Sequence, residues 1–240
     1  MEYWKVLFSG YKSDQELLRE ALCTVGNGYF ATRGAAEESS SGKYHYPGTY
    51  LAGGYNRLET EIAGKIIENE DLVNWPDWTV LKFKPENGEW FDLEKVRIIE
   101  YEQELNLKDG ILERRIQFED EEKRATVLNT RRIVSMSSMH FAAIEWKLTP
   151  KNWSGKIIIH SALDGTVINN GVARYRELNS KHLKVLNKGT FEENNIFLKV
   201  MTNQSEIVMA QAARTSVYFD LFDSPVERKT IQKKSVLRRN

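Results

Sequence analysis

"VRIIEYEQELNLKDGILERRIQFED", residues 96–120, decides the fold class. Two runs of alternating character flank Lys108, Asp109 and Gly110, a turn signal that predicts a β-hairpin. Leu105 and Leu107 alternate with Glu104, Asn106 and Lys108. On the second run Leu112, Ile116 and Phe118 share one face with Arg114, because side chains in a strand repeat every two residues.

The same period continues on both sides. After the polar turn "EDEEK", the segments "RATVLNTRRIVSM" and "HFAAIEWKLTP" read as two further strands. In the latter, Ala142, Ile144, Trp146 and Leu148 face one way, and Phe141, Ala143, Glu145 and Lys147 the other. "PKNWSG" turns the chain into "KIIIHSALD", and "NIFLKVMT" and "EIVMAQAARTSVYFD" follow as strands. "FKPENGEWF" is a hairpin with Asn87-Gly88 at its tip. At least eight strands, joined mostly by short polar turns, predict an antiparallel sandwich or barrel, not an α/β sheet. Near the start, Ser13 and Glu16 have capping-box spacing, and Leu17, Leu18, Ala21 and Leu22 recur at helical spacing. One short helix is predicted there, ended by Gly26. Residues 34–77 show no sustained period and read as a long irregular excursion, aromatic enough to be ordered.

Lys+Arg and Asp+Glu both number 34 in this 240-residue chain, so its formal net charge is zero. A balanced chain gives no electrostatic reason to expect nucleic acid. One cysteine, Cys23, excludes an internal disulfide and a four-cysteine zinc site. The start "MEYWKVLFSG" lacks the charged and apolar regions of a signal peptide, and no apolar stretch is long enough to span a bilayer. The expected setting is cytoplasmic, with no membrane partner.

The chemistry-bearing residues form no catalytic pattern. His45, His140, His160 and His182 show no metal-like spacing, and no metal or cofactor is expected. Cys23 sits among leucines, as a buried thiol does. Gly26 and Gly28 give G-x-G, but Arg33 stands where a dinucleotide fingerprint needs a later glycine. Asp71 and Asp77 are the acids nearest Trp75 and Trp78, and their reading as loop-terminating, water-facing acids is preferred. Trp75 and Trp78, in "WPDW", either stack on a sugar ring or cover the end of the sandwich. The glycines of "GNGYFATRG", residues 26–34, serve either a tight turn or the close approach of another body, with Arg33 free to bond a carboxylate or carbonyl. Arg33, Trp75 and Trp78 are therefore the candidate contact residues for a sugar or a neighbouring domain. The basic end "VERKTIQKKSVLRRN" reads as a strand without its partner, which predicts a longer polypeptide.

Five segments in order, "LLREALCTVGNGYFATRGAAEE", "PGTYLAGGY", "EDLVNWPDW", "LNLKDGILERRIQF" and "TRRIVSMSSMHFAAIEWKLTP", resemble landmarks of glycoside hydrolase family 65, which includes maltose, trehalose, kojibiose and nigerose phosphorylases. The resemblance implies an all-β fold: a large antiparallel β-sandwich of the galactose mutarotase type, a supersandwich, with one short N-terminal helix and spanning residues 1–240 as a single domain. It further implies that an (α/α)₆ catalytic barrel carries the acid glutamate and the phosphate site, and that this chain holds no catalytic residue. The fragment is then inactive alone. In the full-length enzyme inorganic phosphate is co-substrate, a disaccharide is substrate, and the protein is a homodimer. The alternatives are an independent carbohydrate-binding module resting on Trp75 and Trp78, and a mutarotase-type epimerase using His140 or His160.

Overall fold

A computed structural model describes residues 4–169, 180–220, 222–223, 226–233 and 236–239. The fold class is all-β and antiparallel, with one short α-helix, Glu16–Leu22. The chain divides into two compact units, Met1–Pro47 with Phe83–Ile158, and Gly48–Lys82 with Ile159–Asn240.

The first unit is built on a five-stranded sheet in the order Lys5–Ser9, Arg97–Asn106, Ile111–Glu119, Ala125–Val134, Ala142–Pro150. The hairpin of residues 96–120 forms as its sequence dictates. Asn106 closes the turn: its Oδ1 accepts from the backbone N–H groups of Lys108 and Asp109, both at 3.1 Å. Gly110 follows at φ 66°, where a side chain would be strained. The register places Leu105 opposite Leu112, which in turn lies opposite Arg132; Tyr101 faces Ile116, which faces Leu128. Those residues share one face, and its apolar members are buried. Phe83, Phe91 and Leu93 pack over Tyr101, Ile116, Phe118 and Leu128, with the Phe91 and Phe118 rings stacked at 4.4 Å. A neighbouring cluster joins Cys23 and Val25 to Leu105, Leu112 and Val134. Each large apolar side chain removed from water there stabilises the fold by roughly 1.5–3 kcal/mol.

In the second unit, Leu183–Phe191, Asn195–Thr202 and Val208–Arg214 form a three-stranded sheet. Ile196, Leu198 and Val200 alternate inward to meet Val73, Trp75 and Leu163. Trp75 is fully buried at 0% exposure, and Trp78 is half-buried against the same cluster. The tryptophan pair therefore fills an interior.

Two stretches differ from their sequence reading. Within the supposedly irregular residues 34–77, Tyr55–Ile62 and Lys65–Leu72 form a hairpin, turned at Ala63 and Gly64 with φ of 51° and 76°. Two successive positive φ values are the mark of a type I′ turn. The alternation was hidden because two of its buried positions, Asn56 and Asn69, are polar; Leu58 is the apolar one. The basic stretch near residue 230 supplies its own partner: Thr230–Lys233 pairs with Val236–Arg239, which pairs with Ile157–Asp164.

Replacing Trp75 with alanine removes the largest side chain of the second unit's core. The expected loss is about 3–5 kcal/mol in denaturant unfolding, and a loss below about 1 kcal/mol would place the ring outside that core.

Candidate functional site

The helix Glu16–Leu22 lies inside out. Its leucines are exposed, Leu17 at 43%, Leu18 at 62% and Leu22 at 54%, while Glu16, Arg19 and Glu20 are buried. The capping box also fails to form: no side chain caps the preceding turn, Ser13–Gln15, or the helix itself. Glu16 turns instead toward Arg19, 3.4 Å away.

What draws charges inward is a set of ion pairs rooted in the sheet. Arg114 and Arg132 rise from the same face as Leu112, Ile116 and Leu128. Arg114 donates to both oxygens of Glu38, at 2.6 Å each, and to Glu37 at 2.9 Å. Arg132 donates to Glu37 and to the backbone carbonyls of Arg33 and Ala35. Burial acts to raise the Glu37 carboxyl, yet Arg132 and Arg114 outweigh it and hold the group below its ordinary range. These fork-shaped pairs pin "RGAAEE", residues 33–38, to the sheet.

Around that anchor the helix is tied at several points. Glu20 accepts from the Tyr46 backbone N–H at 2.8 Å and pairs with His45 Nδ1 at 2.9 Å. Burial acts to lower the His45 pKa, but Glu20 prevails and raises it. Arg19 donates to the Gly10 carbonyl at 2.7 Å and lies over the Phe8 ring. Gly34 donates to the Glu20 carbonyl at 2.8 Å, and a Cβ there would meet Cys23 Cβ at 2.5 Å. Its missing side chain is thus required by the helix's own end.

The glycine-rich stretch at residues 26–34 resolves in the same way. Val25–Gly26 and Phe30–Thr32 form a small hairpin, with Gly28 at φ 83° in its turn. Asn27 Oδ1 accepts from the Tyr29 and Phe30 N–H groups. Its Nδ2 donates to the carbonyls of Ser135 and Met139, binding this turn to the loop at residues 135–141. Tyr29, Met136, Met139 and Phe141 are all exposed there, and His140 lies edge-on to Tyr29 at 4.4 Å.

Of the sequence-predicted contact residues, Arg33 belongs to the first unit, and Trp75 and Trp78 to the core of the second. Arg33 is engaged within the chain, donating to the carbonyls of Tyr46 and Leu17 and lying over the Tyr46 ring. Asp77 is buried, not water-facing, and accepts from the N–H and hydroxyl of Thr79. Sequence reading missed the roles of Glu16, Glu20, Glu37, Glu38 and Arg132. One signal was present: Arg114 on an apolar face calls for a buried acid partner.

The cluster's ion pairs and hydrogen bonds hold residues 33–38 and the helix in place. Its carboxylates are met by arginines, a histidine and backbone N–H groups. Among the described residues no group of three or more His, Cys, Asp or Glu is arranged to hold a metal ion, and no helix is long and apolar enough to cross a membrane.

Burial pushes the Glu16 carboxyl up to about 7 from 4.5, with Arg19 opposing. The folded state thus holds this proton more tightly than the unfolded chain. Its stabilising contribution is complete below about pH 4.5 and is lost as pH rises through about 7. Glu16→Gln should therefore gain stability relative to the wild type between about pH 5 and pH 8, by up to roughly 3 kcal/mol. Parallel thermal or urea transitions across that range check it; identical pH dependence in the two proteins would contradict it.

Comparison with known proteins places this architecture. The model of the glycosyl hydrolase family 65 N-terminal domain matches residues 6–238. An uncharacterized glycosyl hydrolase of Mycobacterium tuberculosis is 41% identical over 217 residues, 90% of this chain and 16% of that protein. The kojibiose phosphorylase of Thermoanaerobacter brockii is 30% identical over 215 residues, again 90% of this chain and 26% of the relative. A solved structure from the human microbiome, described as a kojibiose phosphorylase, aligns with TM-score 0.80 and 19% identity, covering 98% of this chain and 29% of that one. This chain therefore spans less than a third of each of these proteins, from 16% to 29%, and it belongs to glycosyl hydrolase family 65 through its N-terminal domain.

Proposed function

We propose that this chain is the non-catalytic N-terminal part of an inverting phosphorylase or hydrolase of α-glucosides, and that it supports a catalytic barrel and oligomerisation. The observation carrying this reading is the inside-out helix. Its charged side chains are paired beneath it and its leucines face outward, left for a partner. Exposed apolar groups gathered on one element serve an interface more often than solvent. The partner proposed is the remainder of the same protein, since relatives such as the kojibiose phosphorylase are roughly four times longer than the matched region.

In that enzyme, phosphate attacks the anomeric carbon while a glutamic acid of the barrel protonates the leaving oxygen, and the anomeric configuration inverts. The residues described here contribute no group to that step. They contribute rigidity: a network of buried ion pairs fixes the surface on which a barrel is carried. A carbohydrate-binding module resting on Trp75 and Trp78 gains no support, because Trp75 is fully buried.

Sedimentation velocity over a wide concentration range tests the reading. The isolated chain should self-associate, and changing Leu17, Leu18 and Leu22 together to serine should shift it toward monomer with little loss of stability, because these side chains are already in water. Phosphorolysis of maltose and kojibiose by the isolated chain should be undetectable. A monomer at every concentration, or turnover of sugar by this chain alone, would contradict the proposal.

A further inference from the structure

The second unit carries a cleft of about 280 Å³ lined by Tyr55, Asn56, Arg57, Glu70, Gln204 and Ser205. That volume lies just under the usual range for small-molecule sites and suits one small ring. Its floor is rigid. Asn56 is 1% exposed, and its Oδ1 accepts from the N–H groups of Gln204 and Ser205 at 3.2 and 2.9 Å. Its Nδ2 donates to Asn203 Oδ1 at 2.8 Å and to His182 Nδ1 at 3.1 Å. Ser205 Oγ donates to the Tyr55 carbonyl at 2.9 Å, so the turn at 203–206 is locked to the edge of the hairpin.

Above this floor stand the groups that would meet a ligand. Tyr55 is 48% exposed and lines the cleft, offering an aromatic face. Arg57 and Glu70 stand opposite each other in the hairpin register and join through Nε and Oε2 at 2.7 Å. A guanidinium carries five N–H donors and a carboxylate about four lone-pair sites, so most of their bonding capacity stays available. Arg57 also lies 3.6 Å from Glu68, so the cleft holds no excess positive charge for an anion. Its walls are too polar for an apolar guest. A neutral ligand rich in hydroxyls with one C–H face fits: the ring packs on the tyrosine, and two adjacent hydroxyls bridge the arginine–carboxylate pair.

We propose that this cleft binds one pyranose unit of a neutral sugar. The assignment goes beyond the supporting role above, and only the choice of α-glucosides as probes rests on it. Because Asn56 already bonds the floor on several sides, little ordering is needed on binding. The shallow contact keeps affinity weak, with Kd on the order of millimolar.

Nuclear magnetic resonance titration of the isotopically labelled chain with glucose, maltose and kojibiose tests this. The expected result is saturable shifts confined to the amides of Tyr55, Arg57, Glu70, Gln204 and Ser205 and their neighbours. Tyr55→Ala and Glu70→Gln should each weaken binding at least about fivefold, while Tyr55→Phe, which keeps the ring, should stay within about twofold of the wild type. No shift at tens of millimolar of any of the three sugars, or shifts mapping elsewhere, would overturn the assignment. The wild-type map decides the matter even where a variant fails to fold. A silent cleft in a chain that still self-associates leaves the supporting role intact. A sugar-binding cleft in a strictly monomeric chain does the reverse.

Discussion

Arg114 and Arg132 stand on an otherwise apolar sheet face and meet Glu37 and Glu38 across a space closed to water. Taking such ions out of water costs several kcal/mol each, and their attraction offsets this only when every donor and acceptor finds a partner. Here Arg114 grips both oxygens of Glu38, and Arg132 adds two backbone carbonyls to its contact with Glu37, while its buried Nε is left without a partner. The net gain in stability from such a pair is small. The constraint it imposes is large, because removing one partner strands a buried charge at a cost of about 3–5 kcal/mol.

That constraint propagates outward. With residues 33–38 fixed, Gly34 must sit against Cys23 and the Glu20 carbonyl, which sets the end of the helix. Glu20 must then face His45 and Tyr46, and with it Glu16 and Arg19 turn inward. Once the helix is oriented by its charges, its leucines have nowhere to go but out. The polar interior and the apolar exterior are therefore one arrangement seen from two sides.

How much of this was legible in the sequence depended on where the physical signal lay. The hairpin at 96–120 was readable because most inward positions are apolar and the turn carries Lys108, Asp109 and Gly110. The hairpin at 55–72 was not, since Asn56 and Asn69 face inward and mimic an irregular segment. For the helix, periodicity gave the spacing of Leu17, Leu18 and Leu22, but a period has no sign. Only the partners of Glu16 and Glu20, distant in sequence, determine which face is buried. Trp75 shows the same limit: an aromatic beside a proline can serve as platform or as core, and core, the commoner use, is settled only when Val73 and Leu163 are seen around it. Arg114 was visible on its apolar face, and the two glutamates that answer it close the quoted glycine-rich landmark.

The orientation of the helix is the central claim, and thiol labelling reads it most directly. In Leu18→Cys the new thiol shares the molecule with native Cys23, which is fully buried and whose pKa burial pushes up to about 11. Under native conditions at low protein concentration, the account predicts one thiol modified about as fast as an unfolded cysteine and one slower by orders of magnitude. Two slow thiols in a folded Leu18→Cys chain would put the leucine face in the interior and contradict it.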